Sequence, residues 1–483
     1  MHPAVILRVL GVLLMIYSTT MLPPALVALI YQDGGHILFL SAFAITLISG
    51  LVCWLPVHNS QDDLRVKDGF LVVVLFWTVL GLYGAIPFLL GDQPNMNLAD
   101  AVFESISGLT TTGATVIQHL DDLPKSILYY RQQLQWLGGM GIIVLAVAIL
   151  PMLGIGGMQL YRAETPGPMK DHKLTPRIAE TAKALWILYV CLTLVCAGTY
   201  WVLGMDAFDA IAHSFSTIAI GGFSTHDASI GYFNNPAIEI TTIIFMVIAG
   251  INFGLHFLAW RRKQLTHYWA DPELRFYFQV LCTISIGSCI VLYLNGTYEN
   301  NWDAIRHAIF QTVSIATTTG YAVADFSQWH PLIPTALLMG SFIGACAGST
   351  GGGIKVIRML LMFKQGLREM RRLIHPNAVM VIKLNNKAVP DRVTEAVWGF
   401  FGIYLVCFCA LFLAILGTGL DFVTAFSAVA ACMNNLGPGL SEVALNYASI
   451  TDTAKWILCF TMLLGRLEIF TLLLLFTPMF WRH

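Results

Sequence analysis

The sequence predicts an all-α polytopic membrane protein with ten transmembrane helices. Two N-terminal helices precede four pseudo-repeats, each a helix, a re-entrant pore helix with its filter loop, and a second helix, set around a central pore. Three observations predict it. Of 483 residues, 57% are hydrophobic and only 11% charged, against roughly 25% charged in ordinary soluble domains, which excludes a soluble globule. Ten apolar runs are long enough to cross a bilayer, which takes about 20 residues of helix. Four shorter apolar stretches align with one another and each ends in glycine.

The first run, Val9 to Ile30, follows Arg8 and lacks a small-residue cleavage site. It reads as a spanning helix with a kink at Pro23 and Pro24, not as a signal peptide. Further runs lie at 36–54, 69–91, 133–153, 184–204, 236–260, 275–294, 332–363, 394–417 and 454–480. They divide the chain into two preliminary helices at 1–68 and pore repeats at 69–160, 161–262, 263–390 and 391–483. Most of the 27 Lys and Arg residues fall in alternate connections on the side of the N-terminus. The opposite side holds only Lys125, Arg131, Arg306 and Lys455, while Lys355, Arg358 and Arg466 lie at or near membrane depth. The positive-inside rule then makes both termini cytoplasmic.

The four short stretches start at Leu98, Ala207, Ala304 and Val423 and are too short to span. Aligned, they read AVFESISGLTTTG to Gly113, AIAHSFSTIAIGG to Gly222, AIFQTVSIATTTG to Gly320 and AFSAVAACMNNLG to Gly437. Ala101, Ala210, Ala308 and Ala425 hold one register position; Ser107, Ser216 and Ser314 hold another, where the fourth copy has Ala431. An internal repeat of this kind is first a statement about fold.

A monovalent ion at the bilayer centre must have its hydration shell replaced, and backbone carbonyls turned toward an axis do this. Successive carbonyls turned one way need backbone angles that glycine tolerates. A short helix leading into each turn aims its negative end at the axis, favouring a cation. The residues expected to hold the ion through their carbonyls are Thr111, Thr112 and Gly113; Ile220, Gly221 and Gly222; Thr318, Thr319 and Gly320; and Asn435, Leu436 and Gly437. Loops one and three match closely and the others differ, so the ring is only pseudo-fourfold. Asp100, Glu104, Asp209, Asp303 and Asp421 stand near the outer starts of the short helices, where they suit helix N-termini and attract cations.

The strings SGLTTTGAT, IAIGGFSTHDASIGYF, ACAGSTGGGIKVIR, NNLGPGL and LLGRLEIFTLLLLF run from the first repeat to the C-terminus. Over this length the chain resembles the TrkH family, membrane subunits of bacterial Trk potassium uptake systems, in the superfamily of potassium transporters. The resemblance implies uptake of potassium across the inner membrane. It also implies a homodimer and a TrkA-like cytosolic subunit that binds NAD or ATP. Relatives with serine at the first filter glycine favour sodium; glycine at all four positions here implies potassium preference. The loops depart from the TVGYG signature of tetrameric potassium channels.

The run 332–363 is longer than one crossing needs and carries GACAGSTGGG in its middle. Glycine costs about 1 kcal/mol relative to alanine in a helix, so the run reads as a broken helix. Its loop, with Gly348, Ser349, Thr350, Gly351, Gly352 and Gly353, is expected to lie under the third filter segment and obstruct the path. GSTGGGIK lacks the lysine-to-hydroxyl step of a phosphate loop and follows no strand. Arg466, inside the last run, is costly there and is expected to face the pore and meet this loop, adding a barrier to cations. Family resemblance points the same way.

The ten cysteines form no C-x-x-C pair, and His213, His256 and His307 have no second ligand three or four residues further on, so neither a zinc site nor a disulfide framework is indicated. The net charge of −1 leaves no nucleic-acid footprint. No Rossmann or Walker motif occurs, so no cofactor belongs to this chain and nucleotide control requires a partner. The charged connections 155–183 and 364–392 face anionic lipid and form the natural docking surface for a regulator. No paired catalytic constellation supports an enzyme. The alternative is a secondary transporter, a symport of potassium with protons or sodium, for which broken helices are also expected.

Overall fold

The computed structural model describes residues 2–59, 66–144, 178–385 and 387–482. The connection expected at 155–183 and the end of the 133–153 run lie mostly outside them. Among the described residues, six helices are long and apolar enough to cross a membrane: Pro3–Tyr31, His36–Val57, Lys67–Leu90, Ala182–Val202, Pro272–Leu294 and Asp391–Leu416. Two bent pairs raise the number to eight. Helix Lys125–Val144 runs beside the short helices.

Three expected spans differ from their observed forms. The N-terminal break falls at Thr20 and Met21, and the two prolines sit in the first turn of helix Leu22–Tyr31, where a missing N–H costs nothing. The 236–260 run is two helices, Pro236–Ala249 and Phe253–Arg262, bent by 92°. The first ends at Gly250, and Asn252 starts the second by accepting from the Gly254 N–H at 2.7 Å. The 454–480 run turns by 110° after helix Asp452–Arg466, with Glu468 and Ile469 both at positive φ. The 332–363 run is interrupted, as its glycines require: helix Leu332–Ile343 ends at Gly344 and helix Val356–Ile374 follows a buried loop.

Four short helices lie inside this shell: Leu98–Leu109, Ala207–Ala219, Asn301–Ala316 and Phe422–Met433. Asn97, Asp206, Asn300 and Asp421 cap their N-termini, each accepting a backbone N–H. These are the preferred capping residues because a short side-chain oxygen reaches an orphan donor. The helices are buried nearly along their whole length, and the largest core cluster gathers around the first and fourth of them. Elsewhere small residues let helices approach: a Cβ on Gly11 would meet the Gly50 carbonyl at 2.8 Å, joining the first and third helices.

Candidate functional site: four glycine bends around one cavity

Each short helix ends in the same hydrogen-bonded bend. Thr112, Gly221, Thr319 and Leu436 donate their N–H to the carbonyls of Ser107, Ser216, Ser314 and Ala431, at 2.8, 2.9, 2.8 and 2.8 Å. Thr111, Ile220, Thr318 and Asn435, one position earlier, donate to Gly108, Thr217, Ile315 and Cys432. This is the Schellman pairing that turns the chain out of a helix. Left-handed backbone then recurs in register. Thr111, Ile220, Thr318 and Asn435 have φ of 53°, 55°, 68° and 54°, and Gly113, Gly222, Gly320 and Gly437 have φ of 82°, 77°, 87° and 95°. A residue bearing a Cβ costs about 1–2 kcal/mol in this region. A β-branched residue such as Ile220 holds it only where its surroundings enforce it. The sequence marked the glycines but gave no signal of the left-handed residues two positions before them.

The four bends meet. A Cβ placed on Gly113 would come closer than 3.0 Å to the Gly221 carbonyl, one on Gly222 to Thr319, one on Gly320 to Leu436, and one on Gly437 to Thr112. Each glycine therefore faces the residue preceding the next glycine, and the fourth returns to the first. All four line one cavity of about 110 Å³. Its walls include Arg131, His226, Asp227, Asp325 and Tyr447.

Side chains brace the bends from behind. Thr110 and Thr112 share a hydroxyl contact of 2.7 Å, as do Thr317 and Thr319. Asn435 Nδ2 donates to Thr112 Oγ1 at 3.0 Å, linking the fourth loop to the first. Tyr447 donates to the Gly437 carbonyl at 2.8 Å. Gln135, from helix Lys125–Val144, donates to the Gly221 carbonyl at 2.6 Å and accepts from the Phe223 N–H at 3.0 Å. Sequence reasoning named neither Tyr447 nor Gln135, because their partners are set by tertiary packing alone.

Most of the acidic residues near the short-helix starts hold partners. Glu104 is fully buried and pairs with Arg131 at 2.7 Å; it also accepts from Thr115 and the Val116 N–H at 3.0 Å. Arg131 continues to the Ser224 carbonyl at 3.0 Å, tying loop one to loop two. Asp100 pairs with Lys455 at 2.6 Å and Asp303 with Arg306 at 3.0 Å. Asp209 meets His226 Nε2 at 3.1 Å, and Asp121 meets its Nδ1. Burial pulls the His226 pKa down, but hydrogen bonds to these two carboxylates outweigh it and hold the value above the ordinary 6.5. Of the five acids named from sequence, Asp421 is a helix cap and Asp100, Asp209 and Asp303 stand in the first turns of their helices, as expected; Glu104 lies deeper in its helix.

The loop between Ile343 and Val356 packs against the bends. Thr350 Oγ1 donates to the Ile218 carbonyl at 2.9 Å, the Gly352 N–H to Thr318 Oγ1 at 2.7 Å, and the Gly353 N–H to the Asn434 carbonyl at 3.0 Å. The loop thus touches the second, third and fourth bends. From the other side, Ala347 N–H reaches Glu273 at 2.6 Å and Phe253 N–H reaches the Gly348 carbonyl at 3.0 Å. Ser349 bonds back to the Cys346 carbonyl at 2.6 Å. Lys355 contacts the Gly351 carbonyl. Arg466 donates to the carbonyls of Thr350 and Gly138, each at 3.2 Å, and Glu468 pairs with Arg358 at 2.6 Å.

Glycine bends converging on one cavity within a shell of long apolar helices define an integral membrane protein of the transporter class. Residues 35–483 match the TrkH family of cation transport proteins, and the chain belongs to that family, whose members are transporters and not enzymes. The Trk system potassium uptake protein TrkH of Vibrio parahaemolyticus is 57% identical over 479 residues, covering 99% of each chain. The TrkH protein of Escherichia coli K12 is 56% identical over 483 residues, covering 100% of each. TrkG of the same strain is 42% identical over 481 residues, covering 100% of this chain and 99% of that one. The crystal structure of the potassium transporter TrkH from Vibrio parahaemolyticus superposes with a TM-score of 0.93 at 54% identity, covering 100% of both chains.

Proposed function

We propose that this chain takes up potassium across the bacterial inner membrane through a gated, channel-like pore. The observation that carries the reading is the closed ring in which each positive-φ glycine faces the next loop's backbone carbonyl. Alternating left- and right-handed residues turn peptide oxygens to a common side, and an axis lined by such oxygens substitutes for the water around an alkali cation. The ion-holding carbonyls are those of Thr111 to Gly113, Ile220 to Gly222, Thr318 to Gly320 and Asn435 to Gly437. Those of Gly221 and Gly437 already accept one hydrogen bond each and keep a lone pair for the ion. Potassium is the ion that the relatives' names specify.

In this reading ten spans build four pseudo-repeats with boundaries at 69, 161, 263 and 391, and both termini are cytoplasmic. Residues Gly348 to Gly353 close the path beneath the filter, and Arg466 fixes the loop and repels cations. Two copies form a homodimer, and a TrkA-like nucleotide-binding subunit docks on the charged cytoplasmic connections. Reversal potentials in proteoliposomes, measured under potassium, sodium and proton gradients separately, test the proposal. A pore reverses at the potassium equilibrium potential at every pH; obligatory coupling to protons or sodium shifts that value and overturns it.

A further inference from the structure

The residue just before each filter glycine differs among the four loops: Thr112, Gly221, Thr319 and Leu436. In loops one and three the threonine hydroxyl is held by a second threonine two positions earlier, and in loop four a buried leucine fills the same flank. Loop two has no side chain there. A Cβ on Gly221 would meet Gln135 first: Cδ, Oε1 and Nε2 would all lie closer than 3.0 Å. Gln135 is fully buried, and both ends of its amide are used on this loop, one on the Gly221 carbonyl and one on the Phe223 N–H. Its Nε2 also lies 3.7 Å from the position of a Cβ on Gly113, between the first two loops. Gly221 is outside the left-handed region, so backbone conformation does not demand glycine at this position. The space taken by Gln135 does.

We propose that Gln135 is the specificity-positioning residue of the second filter loop, supplying from a neighbouring helix the brace that loops one and three carry in their own sequence. The proposal rests on the potassium-pore reading above. A buried amide bonded at both ends sets the radial position of the Gly221 carbonyl. Once released, that oxygen moves toward a smaller ion, so discrimination against sodium falls while the other three loops stay in place.

The test uses bi-ionic potassium/sodium reversal potentials of the full-length protein in proteoliposomes, with thermal unfolding recorded in parallel. Gln135→Ala is expected to raise relative sodium permeability roughly tenfold, the size carried by one or two buried hydrogen bonds. Gln135→Glu, which keeps the acceptor for Phe223 but sets a carboxylate oxygen against the Gly221 carbonyl, should raise relative sodium permeability at least as much as Gln135→Ala. Gly221→Thr alone should abolish flux through the clash with Gln135. The double variant Gln135→Ala/Gly221→Thr should recover flux, since threonine then fills the vacated flank, and selectivity only in part, because Ala219 stands where loops one and three carry the second threonine; such coupling identifies a contacting pair. An unchanged permeability ratio in Gln135→Ala, or a double variant no better than the combined singles, overturns the assignment. Absence of potassium-selective reversal in the unmodified protein would instead overturn the pore reading itself.

Discussion

Arg466 and Thr350 lie 116 positions apart, yet Arg466 Nη1 donates to the Thr350 carbonyl at 3.2 Å. The other terminal nitrogen reaches Gly138 on a different helix, and the guanidinium lies 5.5 Å from the centre of the Trp77 ring. One buried cation thus ties the loop that follows Ile343 to two neighbouring helices.

Arg466→Ala removes both ties and the positive charge. Hydrogen bonds to charged groups contribute about 1.5–3 kcal/mol each, so resting potassium flux should rise at least roughly tenfold. Arg466→Lys should fall between, because an ammonium is a point donor and not a planar fork. Single-channel recording with cysteine accessibility of the loop checks this, and unchanged conductance, open probability and accessibility would exclude a gating role for Arg466.

Gly320 sits at φ of 87°, and a Cβ there would meet the Leu436 carbonyl and, at 2.8 Å, Pro438 Cδ. Gly320→Ala should therefore destabilise by about 2 kcal/mol or more and abolish selective flux. Gly287, in helix Pro272–Leu294, has nothing within 4 Å of an added Cβ, so Gly287→Ala should stabilise by up to about 1 kcal/mol and leave flux unchanged. Thermal unfolding and tracer uptake of the two variants check the contrast; equal behaviour would contradict it.

The bends were legible because their causes are local. A capping Asn or Asp, a short apolar stretch and a glycine at fixed spacing recur four times, and the observed short helices begin within a few residues of the expected ones. The interruption at 344–355 was legible for the same reason, since its glycines cannot sustain a helix. The bends after Ala249 and Arg466 were not: Gly250 and Asn252 at the first, and Arg466 and Glu468 at the second, are single breaks in otherwise apolar sequence, and hydropathy is blind to a turn stabilised elsewhere. The first is held by Phe253 N–H on Gly348, nearly a hundred positions away. The burial of Glu104 was equally hidden: its partner Arg131 stands on another helix, and spacing from a helix start says nothing of which face the carboxylate takes.

Glu104 and Arg131 are 0% and 1% exposed. Removing one partner of such a pair leaves an uncompensated buried charge and costs about 3–5 kcal/mol, so Glu104→Ala should lower the unfolding temperature sharply. Replacing both, as Glu104→Gln with Arg131→Met, should cost less than Glu104→Ala alone. Thermal unfolding in detergent reads both values, and a double variant as unstable as the worse single would show that the pair is not the source of the effect.

His226 gives the fold a pH dependence of defined sign. Its two ring nitrogens face Asp209 and Asp121, and only the imidazolium donates to both. Tyr232 stacks on the ring with centroids 3.5 Å apart, holding it between the two carboxylates. The folded pKa lies above 6.5, so the stabilisation is fully present below 6.5 and is lost as pH rises through the folded value. The unfolding temperature should therefore fall across that window in the unmodified protein. In His226→Gln, which keeps a hydrogen-bonding group and cannot titrate, the slope should flatten and the acidic limb should lie lower. Asp121 is half exposed, so salt should weaken its share of the effect while leaving the more buried Asp209 contact in place. Differential scanning fluorimetry at low and high ionic strength separates the two, and an unaltered slope in His226→Gln would assign the pH dependence to another group.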